Sequence, residues 1–284
     1  MLKQILIVII YTVIILIFLK HNSIEKLPYI SFKYITTNKN NIPKIIHRTW
    51  NKRYVDFSMF KNCHKLWLDK NSGYTQSWST DYNMRTFLEE FGELYLHTYN
   101  KLKPGAYKAD LWRVCILYKY GGIYTDGHCI PYKSLDFILQ KCIPENDKHK
   151  LISVLDPIQS GGGIHNGFIA CTPKHPVLKQ YINDILYNVK HNLYKDNPLS
   201  VTGPLCFANS LCKINGKSLQ FKPGFNDAIY PFYLLKLNWG INQYIYKDDV
   251  IVMSKKYSTL KYLKDKITNK SGYTKLWKGK NIYN

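Results

Sequence analysis

Between Ala106 and His128 a helical period gives way to an extended one, and this switch constrains the fold more than any other stretch. Beyond Pro104-Gly105, Leu111, Val114, Cys115 and Tyr118 recur at helical spacing, which predicts a helix with one buried face. Gly121 ends it, as a residue with positive φ does past a helix C-terminus. Ile123-Tyr124-Thr125 then reads as a short strand that delivers Asp126 and His128, two residues apart and so on one face of an extended chain. Asp110 and Arg113, three apart on the helix, project to one side of it. A carboxylate and an imidazole leaving a strand together can hold a divalent cation, and Gly127 between them lets a ligand come close. Singly, each residue is ordinary: Asp110 with Arg113 reads as a surface ion pair, Asp126 as a turn former, His128 as a polar strand-end residue. Packing alone does not explain their combination around a helix, a Gly-Gly stop and a strand.

The flanking sequence supplies the rest of an alternating pattern. Lys44–Trp50 and Thr75–Ser79 read as short strands, with Phe60, His64, Trp67 and Leu68 at helical spacing between them. Asp81 is placed to cap a helix carrying Met84, Phe87, Leu88 and Phe91. Phe168–Cys171 reads as a strand, followed by a helix marked by Val177, Leu178, Tyr181, Ile182, Ile185, Leu186 and Val189. Strands alternating with amphipathic helices predict an α/β sheet covered by helices on both faces. In such sheets ligands gather at the carboxyl ends of strands, where Trp50, Ser79 and Asp126 fall. No internal repeat is visible, and 284 residues suit one catalytic domain, taken as 42–284.

Ahead of that domain, Ile5–Leu19 is apolar on every face and flanked by Lys3 and Lys20. Although short for a spanning helix, it lacks small residues at a processing site, so 1–20 is read as an uncleaved signal-anchor and 21–41 as a polar stem. A single-pass, type II protein with a lumenal catalytic domain, in a Golgi-like, ER-like or host-derived membrane, is the corresponding expectation. The formal charge of +21 favours anionic partners: nucleic acid, a phospholipid surface or a phosphate-bearing substrate. No zinc-finger spacing or RNA-binding signature accompanies it, so no nucleic acid is expected. Seven cysteines without a C-x-x-C pair suggest buried thiols, with one or two disulfides open to a lumenal domain.

Five segments in order, IPKIIHRTW (42–50), KADLWRVCILYKYGGIYTDGH (108–128), IHNGFIACTPKHPVL (164–178), VTGP (201–204) and YTKLW (273–277), resemble the DXD sugar transferases of glycosyltransferase family 32. That family includes Golgi and sphingolipid mannosyltransferases. The resemblance implies a GT-A fold, a Rossmann-like mixed sheet flanked by helices, and transfer of a hexose from a nucleotide-sugar with retention of anomeric configuration. It also implies Mn²⁺ or Mg²⁺ as cofactor, a GDP- or UDP-sugar as donor, and a glycan, glycoprotein or glycolipid as acceptor. By position, Trp50 would stack on the nucleotide base, and Asp110 and Arg113 would contact the donor sugar and its phosphates. Asp126 would lie against ribose and metal, Asn166 and Gly203 would line the pocket, and Trp277 would sit in the segment closing over the diphosphate. Asp110, Arg113 and Asp126 are thus the expected catalytic residues.

The pattern departs from the family at two places. His128 stands where a second Asp is usual, removing one negative charge from the expected metal pair Asp126 and His128, and Gly272 stands where many relatives carry histidine. Three readings follow: an active metal-dependent hexosyltransferase, mannosyl transfer among its options; a degenerate member that binds nucleotide-sugar or glycan without turnover; and a basic protein of nucleic-acid or membrane surfaces.

Overall fold

A computed structural model describes residues 41–50, 57–142, 148–156, 162–216, 220–238, 241, 243–254 and 272–284. The anchor at 1–20 and all but the last residue of the stem lie outside the described residues, among which no helix is long and apolar enough to cross a membrane.

The described strands form one mixed sheet. In chain order they are β1 (Ile45–Thr49), β2 (Thr75–Ser79), β3 (Gly122–Thr125), β4 (Cys129–Pro131), β5 (Leu151–Leu155), β6 (Ile164–Cys171), β7 (Gly224–Asn226), β8 (Phe232–Asn238), β9 (Gln243–Tyr246) and β10 (Asp249–Ser254). Their spatial order is β2-β1-β3-β6-β5-β8-β9-β10-β4, with β7 beside β8. β2, β1 and β3 run parallel, and β6 is antiparallel to both its neighbours. The helices are α1 (Phe57–Lys70), α2 (Asp81–Phe91), α3 (Glu93–Lys101), α4 (Gly105–Tyr120), α5 (Leu135–Cys142), α6 (Pro176–Lys190), α7 (Pro204–Ile214) and α8 (Tyr273–Lys278).

Alternation along the strands divides the core into two layers, because successive side chains point to opposite faces. Ile45, Tyr124 and Ile169 face a layer with α2, α4, α6 and α7, whereas Ile46, Ile123 and Ala170 face one with Trp67 of α1 and Leu135 and Ile138 of α5. Helices therefore cover both faces, as the pattern predicts.

Local expectations are met with two corrections. Thr80, not Asp81, caps α2: its hydroxyl accepts from the Asn83 amide and the Asn83 side chain accepts from the Thr80 amide, a reciprocal box. Asp81 sits in the first turn and accepts a 3.2 Å bond from the Tyr99 hydroxyl. The second correction concerns α4, which is buried on every side from Asp110 to Leu117 rather than along one stripe. It is a central helix packed by α6, and by α2, α3 and α8, as well as by β3 and β6 of the sheet. Its stop needs both glycines. Gly121 has φ +68°, and a Cβ there would lie 2.7 Å from Pro173, while Gly122 has φ +99° with a Cβ 2.8 Å from the Ile45 carbonyl. The chain can turn from helix into sheet at this point only without side chains.

One irregularity positions the site. On the β5–β6 ladder Ile152 pairs with Ala170, and Val154 pairs with His165, so Ser153 alone faces four residues of β6. The Ser153 hydroxyl lies 3.1 Å from the carbonyls of both His165 and Phe168, bridging the bulge. Such bulges re-aim side chains beside active sites. Here the bulge carries Asn166 and Gly167 to the ends of β3 and α4.

Candidate active site

Where α4, the end of β3 and the β6 bulge meet, a cleft of about 270 Å³ opens. Its lining includes Asp110, Arg113, Asp126, Asn166 and Gly203, five of the eight residues expected at the site, together with Tyr107, Asp156, His165, Gly167 and Tyr273.

Arg113 is its hub. The helical spacing that suggested a surface ion pair gives a buried one, with Arg113 Nη1 3.5 Å from Asp110 Oδ1. The same nitrogen donates a 2.7 Å bond to the Asn166 carbonyl, and Nη2 stands 3.9 Å from Asp126. The guanidinium lies 4.4 Å from the centre of the Tyr124 ring, whose face orients it. Arg113 Nε is buried without a partner among the described residues, a donor left for a ligand.

Each oxygen of Asp110 accepts a hydrogen bond from the protein. Its Oδ1 accepts from Asn166 Nδ2 at 3.1 Å and its Oδ2 from the Thr202 hydroxyl at 2.8 Å. Burial raises its carboxyl above the usual range, while Arg113 and these two bonds pull it back. Asp126 moves the other way. Burial pushes its carboxyl up, but Arg113, His128, His165 and the Tyr124 hydroxyl, which donates to Oδ1 at 2.9 Å, together hold it below the ordinary value. Asp126 is therefore an anion at neutral pH with Oδ2 turned toward Gly167.

The far wall was missed by sequence reasoning. His165 Nε2 shares a 3.0 Å hydrogen bond with the Tyr244 hydroxyl, and Nδ1 lies 3.9 Å from the buried Asp156 carboxylate. Burial lowers the imidazole pKa despite that neighbour, so His165 is neutral at pH 7. A Cβ on Gly167 would stand 2.7 Å from His165 Nε2 and 3.0 Å from both Asp126 Oδ2 and the Tyr244 hydroxyl. Three polar atoms thus converge over a residue with no side chain. Asp156 ends the apolar run LISVLD much as Asp126 ends IYTD, a parallel that pointed to it. Tyr244 carried no such signal, because its place depends on β9 pairing with β8.

Three expected residues stand outside this lining. Trp50 follows β1, where its amide donates to the Ser79 carbonyl at 3.0 Å. Trp277 gives its indole N–H to the Tyr194 carbonyl at 2.6 Å and packs against the core, and Tyr273, four residues earlier, is what α8 contributes to the cleft. His128 is half-buried one residue beyond Gly127 and bears on Asp126 electrostatically. All seven cysteines are in the thiol form, six of them buried.

The residues present fit a divalent cation held mainly by its ligand. Asp126 is ionised, its Oδ2 has no hydrogen bond among the described residues, and His128 adds an imidazole beside it. Among the described residues no three His, Cys, Asp or Glu side chains form a complete metal site. Magnesium-like ions commonly bind in this way, through one or two protein groups plus substrate phosphates and water.

Residues 31–147 match a family described as "glycosyltransferase sugar-binding region containing DXD motif". Similar curated proteins include inositol phosphoceramide mannosyltransferase 1 of Schizosaccharomyces pombe, 28% identical over 177 residues, which are 61% of this chain and 52% of that protein. Inositol phosphoceramide mannosyltransferase 3 of the same organism is 30% identical over 144 residues, 51% of this chain and 37% of that one. An uncharacterized glycosyltransferase of Acanthamoeba polyphaga mimivirus is 32% identical over 174 residues, 60% of this chain and 64% of that one. The chain therefore spans about half the length of the curated relatives it matches. Among solved structures, the PaToxG glycosyltransferase is similar at 20% identity and a TM-score of 0.45, covering 61% of this chain and 70% of its own.

Proposed function

We propose, from the match of residues 31–147 to the sugar-transferase family with a DXD-containing sugar-binding region, that the chain is a retaining, cation-assisted hexosyltransferase of GT-A type. Its donor is a GDP- or UDP-sugar and its acceptor a glycan or glycolipid, with 1–20 anchoring it in a membrane. The names of its relatives favour mannose as the sugar and a phosphoinositol lipid as the acceptor. A net charge of +21 suits an anionic acceptor of that kind.

The observation that carries this reading is the charge of the cleft. Among the described residues lining the cleft, three carboxyl groups, Asp110, Asp126 and Asp156, stand with one guanidinium, Arg113, so acidic side chains outnumber basic ones there although the chain is strongly basic. A counter-cation would offset the repulsion between those carboxyl groups and a diphosphate. Bound there, Mn²⁺ or Mg²⁺ supplies Lewis-acid stabilisation of the departing diphosphate. Asp126, fixed by Tyr124 and Arg113, is the residue placed to hold it, with His128 beside it. Arg113 offers its unpaired Nε–H to a phosphate oxygen, a charge-assisted bond that strengthens as negative charge builds on the leaving group. Asp110 and Asn166 hold the hexose. The anomeric carbon–oxygen bond breaks, the acceptor oxygen bonds to the same carbon from the same face, and the acceptor proton passes to the departing phosphate oxygen.

The test is nucleotide release by the full-length chain over a panel of GDP- and UDP-sugars, with and without Mn²⁺. At least one donor should turn over only with the ion, and Asp126→Ala should lower that rate by roughly 100-fold or more. Absence of turnover for every donor in Mn²⁺ and in Mg²⁺ would refute it. A second reading is favoured by His128 standing in place of a carboxylate: Mn²⁺-dependent nucleotide binding without turnover identifies a degenerate, binding-only member.

A further inference from the structure

The VTGP turn contributes Gly203 to the cleft, yet its most constrained residue is the one before it. Thr202 is fully buried, and its hydroxyl donates to Asp110 Oδ2 at 2.8 Å. Asp110 Oδ1 in turn accepts from Asn166 Nδ2 at 3.1 Å. The other hydrogen of that nitrogen goes to the Tyr181 hydroxyl at 2.9 Å, and Tyr181 gives its own proton to the Thr202 carbonyl, with the Gly203 carbonyl 3.2 Å away. Four side chains from α4, β6, α6 and the 201–204 turn thus close a ring of hydrogen bonds.

The ring has only one consistent direction. Asp110 faces the Arg113 guanidinium with one oxygen and accepts from the Thr202 hydroxyl with the other, and Tyr181 has one proton, directed at backbone carbonyls. Both groups facing the Asn166 amide are therefore acceptors toward it, so nitrogen and not oxygen must point to them. Asn166 Oδ1 is left on the other side, buried and without a partner among the described residues, while Asn166 itself lines the cleft. The residue cannot flip to satisfy that oxygen without breaking two bonds. Its main chain is equally fixed, because its carbonyl accepts from Arg113. Tyr181 is held in turn by stacking on Phe207, with ring centroids 4.7 Å apart and planes within 3°.

We infer that Thr202 is a positioning residue for the donor hexose: its hydroxyl closes this ring and so presents Asn166 Oδ1 to the cleft as a fixed acceptor beside Asp110. This rests on the glycosyltransferase reading above. It predicts that the hydroxyl matters more to the sugar than to the nucleotide, since the two ring members placed on the ligand, Asp110 and Asn166, are the ones assigned to the hexose, and Arg113 keeps its own bond to the Asn166 main chain.

Dissociation constants of the full-length chain for GDP-mannose, UDP-glucose, GDP and UDP, measured by titration calorimetry in Mn²⁺, test this. For the donor that wild type binds, Thr202→Val should weaken the nucleotide-sugar about tenfold and leave the matching nucleoside diphosphate within about twofold. Thr202→Ser should restore it to within about threefold, and Tyr181→Phe, which keeps the stacked ring, should weaken it in the same selective way. The inference is overturned if Thr202→Val binds the nucleotide-sugar like wild type, or if Thr202→Ser is as weak as Thr202→Val, which would make volume and not the hydroxyl responsible. Failure of wild type to bind any of the four ligands overturns the functional reading instead, and with it the role toward a donor. The ring is then read alone from the Asn166 side-chain amide signals in ¹⁵N-labelled protein. Hydrogen-exchange protection lost in Thr202→Val and kept in Thr202→Ser supports it, and unchanged protection in Thr202→Val overturns it.

Discussion

Replacing Arg113 by methionine removes the sole guanidinium among the described residues lining the cleft while keeping most of its packing volume. The side chains involved are only 9% exposed for Arg113, 10% for Asp110 and 28% for Asp126, so solvent does little to compensate the charges left behind. Asp110 would keep its bonds from Asn166 and Thr202 but lose its counter-charge at 3.5 Å, and the Asn166 carbonyl would lose a 2.7 Å donor. Breaking a buried pair from one side costs about 3–5 kcal/mol, because an uncompensated charge stays buried. For a chain of this size that corresponds to a fall in Tm of roughly 6–20 °C. Thermal and urea unfolding of Arg113→Met measure the loss. Asp110→Asn added to it should recover about half, since the neutral amide no longer needs the guanidinium. A Tm for Arg113→Met within about 2 °C of wild type, or a double variant no more stable than the single one, would refute the buried-pair account.

Two further outcomes follow from the same geometry. Gly167→Ala places a Cβ 2.7 Å from His165 Nε2 and 3.0 Å from Asp126 Oδ2, so the imidazole and carboxylate must shift; we expect a stability loss of about 1–3 kcal/mol and a turnover loss of roughly 100-fold, and wild-type kinetics would contradict it. His47 and His175 are buried and neutral, with burial driving their pKa down from 6.5 to about 4 and about 3, against bonds that only partly compensate. Between pH 6.5 and about 4 the unfolded chain binds more protons than the folded one, so this contribution is complete above pH 6.5 and is lost as pH falls toward 4. The loss is on the order of 3 kcal/mol per histidine. Urea midpoints from pH 7.5 to 4.5 should show that slope, and His47→Gln should flatten it; an equally steep slope in the variant would remove His47 as its cause.

How much was legible in advance divides along the range of the forces involved. The Gly-Gly stop, the strand that delivers Asp126 and the placing of Asp110 and Arg113 on one helix depend on backbone sterics and periodicity within a few residues, so the sequence by itself determined them. Helices on both faces of an α/β sheet follow from the same alternation. Only the tertiary structure decided that the Asp110–Arg113 pair is buried, because burial comes from α6 and β6 packing on α4, segments distant in sequence. Asn166 meets Asp110 through a bulge opposite Ser153, a mismatch between two strands that neither strand encodes alone. Tyr244 reaches His165, and Thr202 reaches Asp110, across 79 and 92 residues, distances over which local pattern carries no information about contact. The residue types of the site are written in the chain, but their convergence on one cleft is a property of strand register and helix packing.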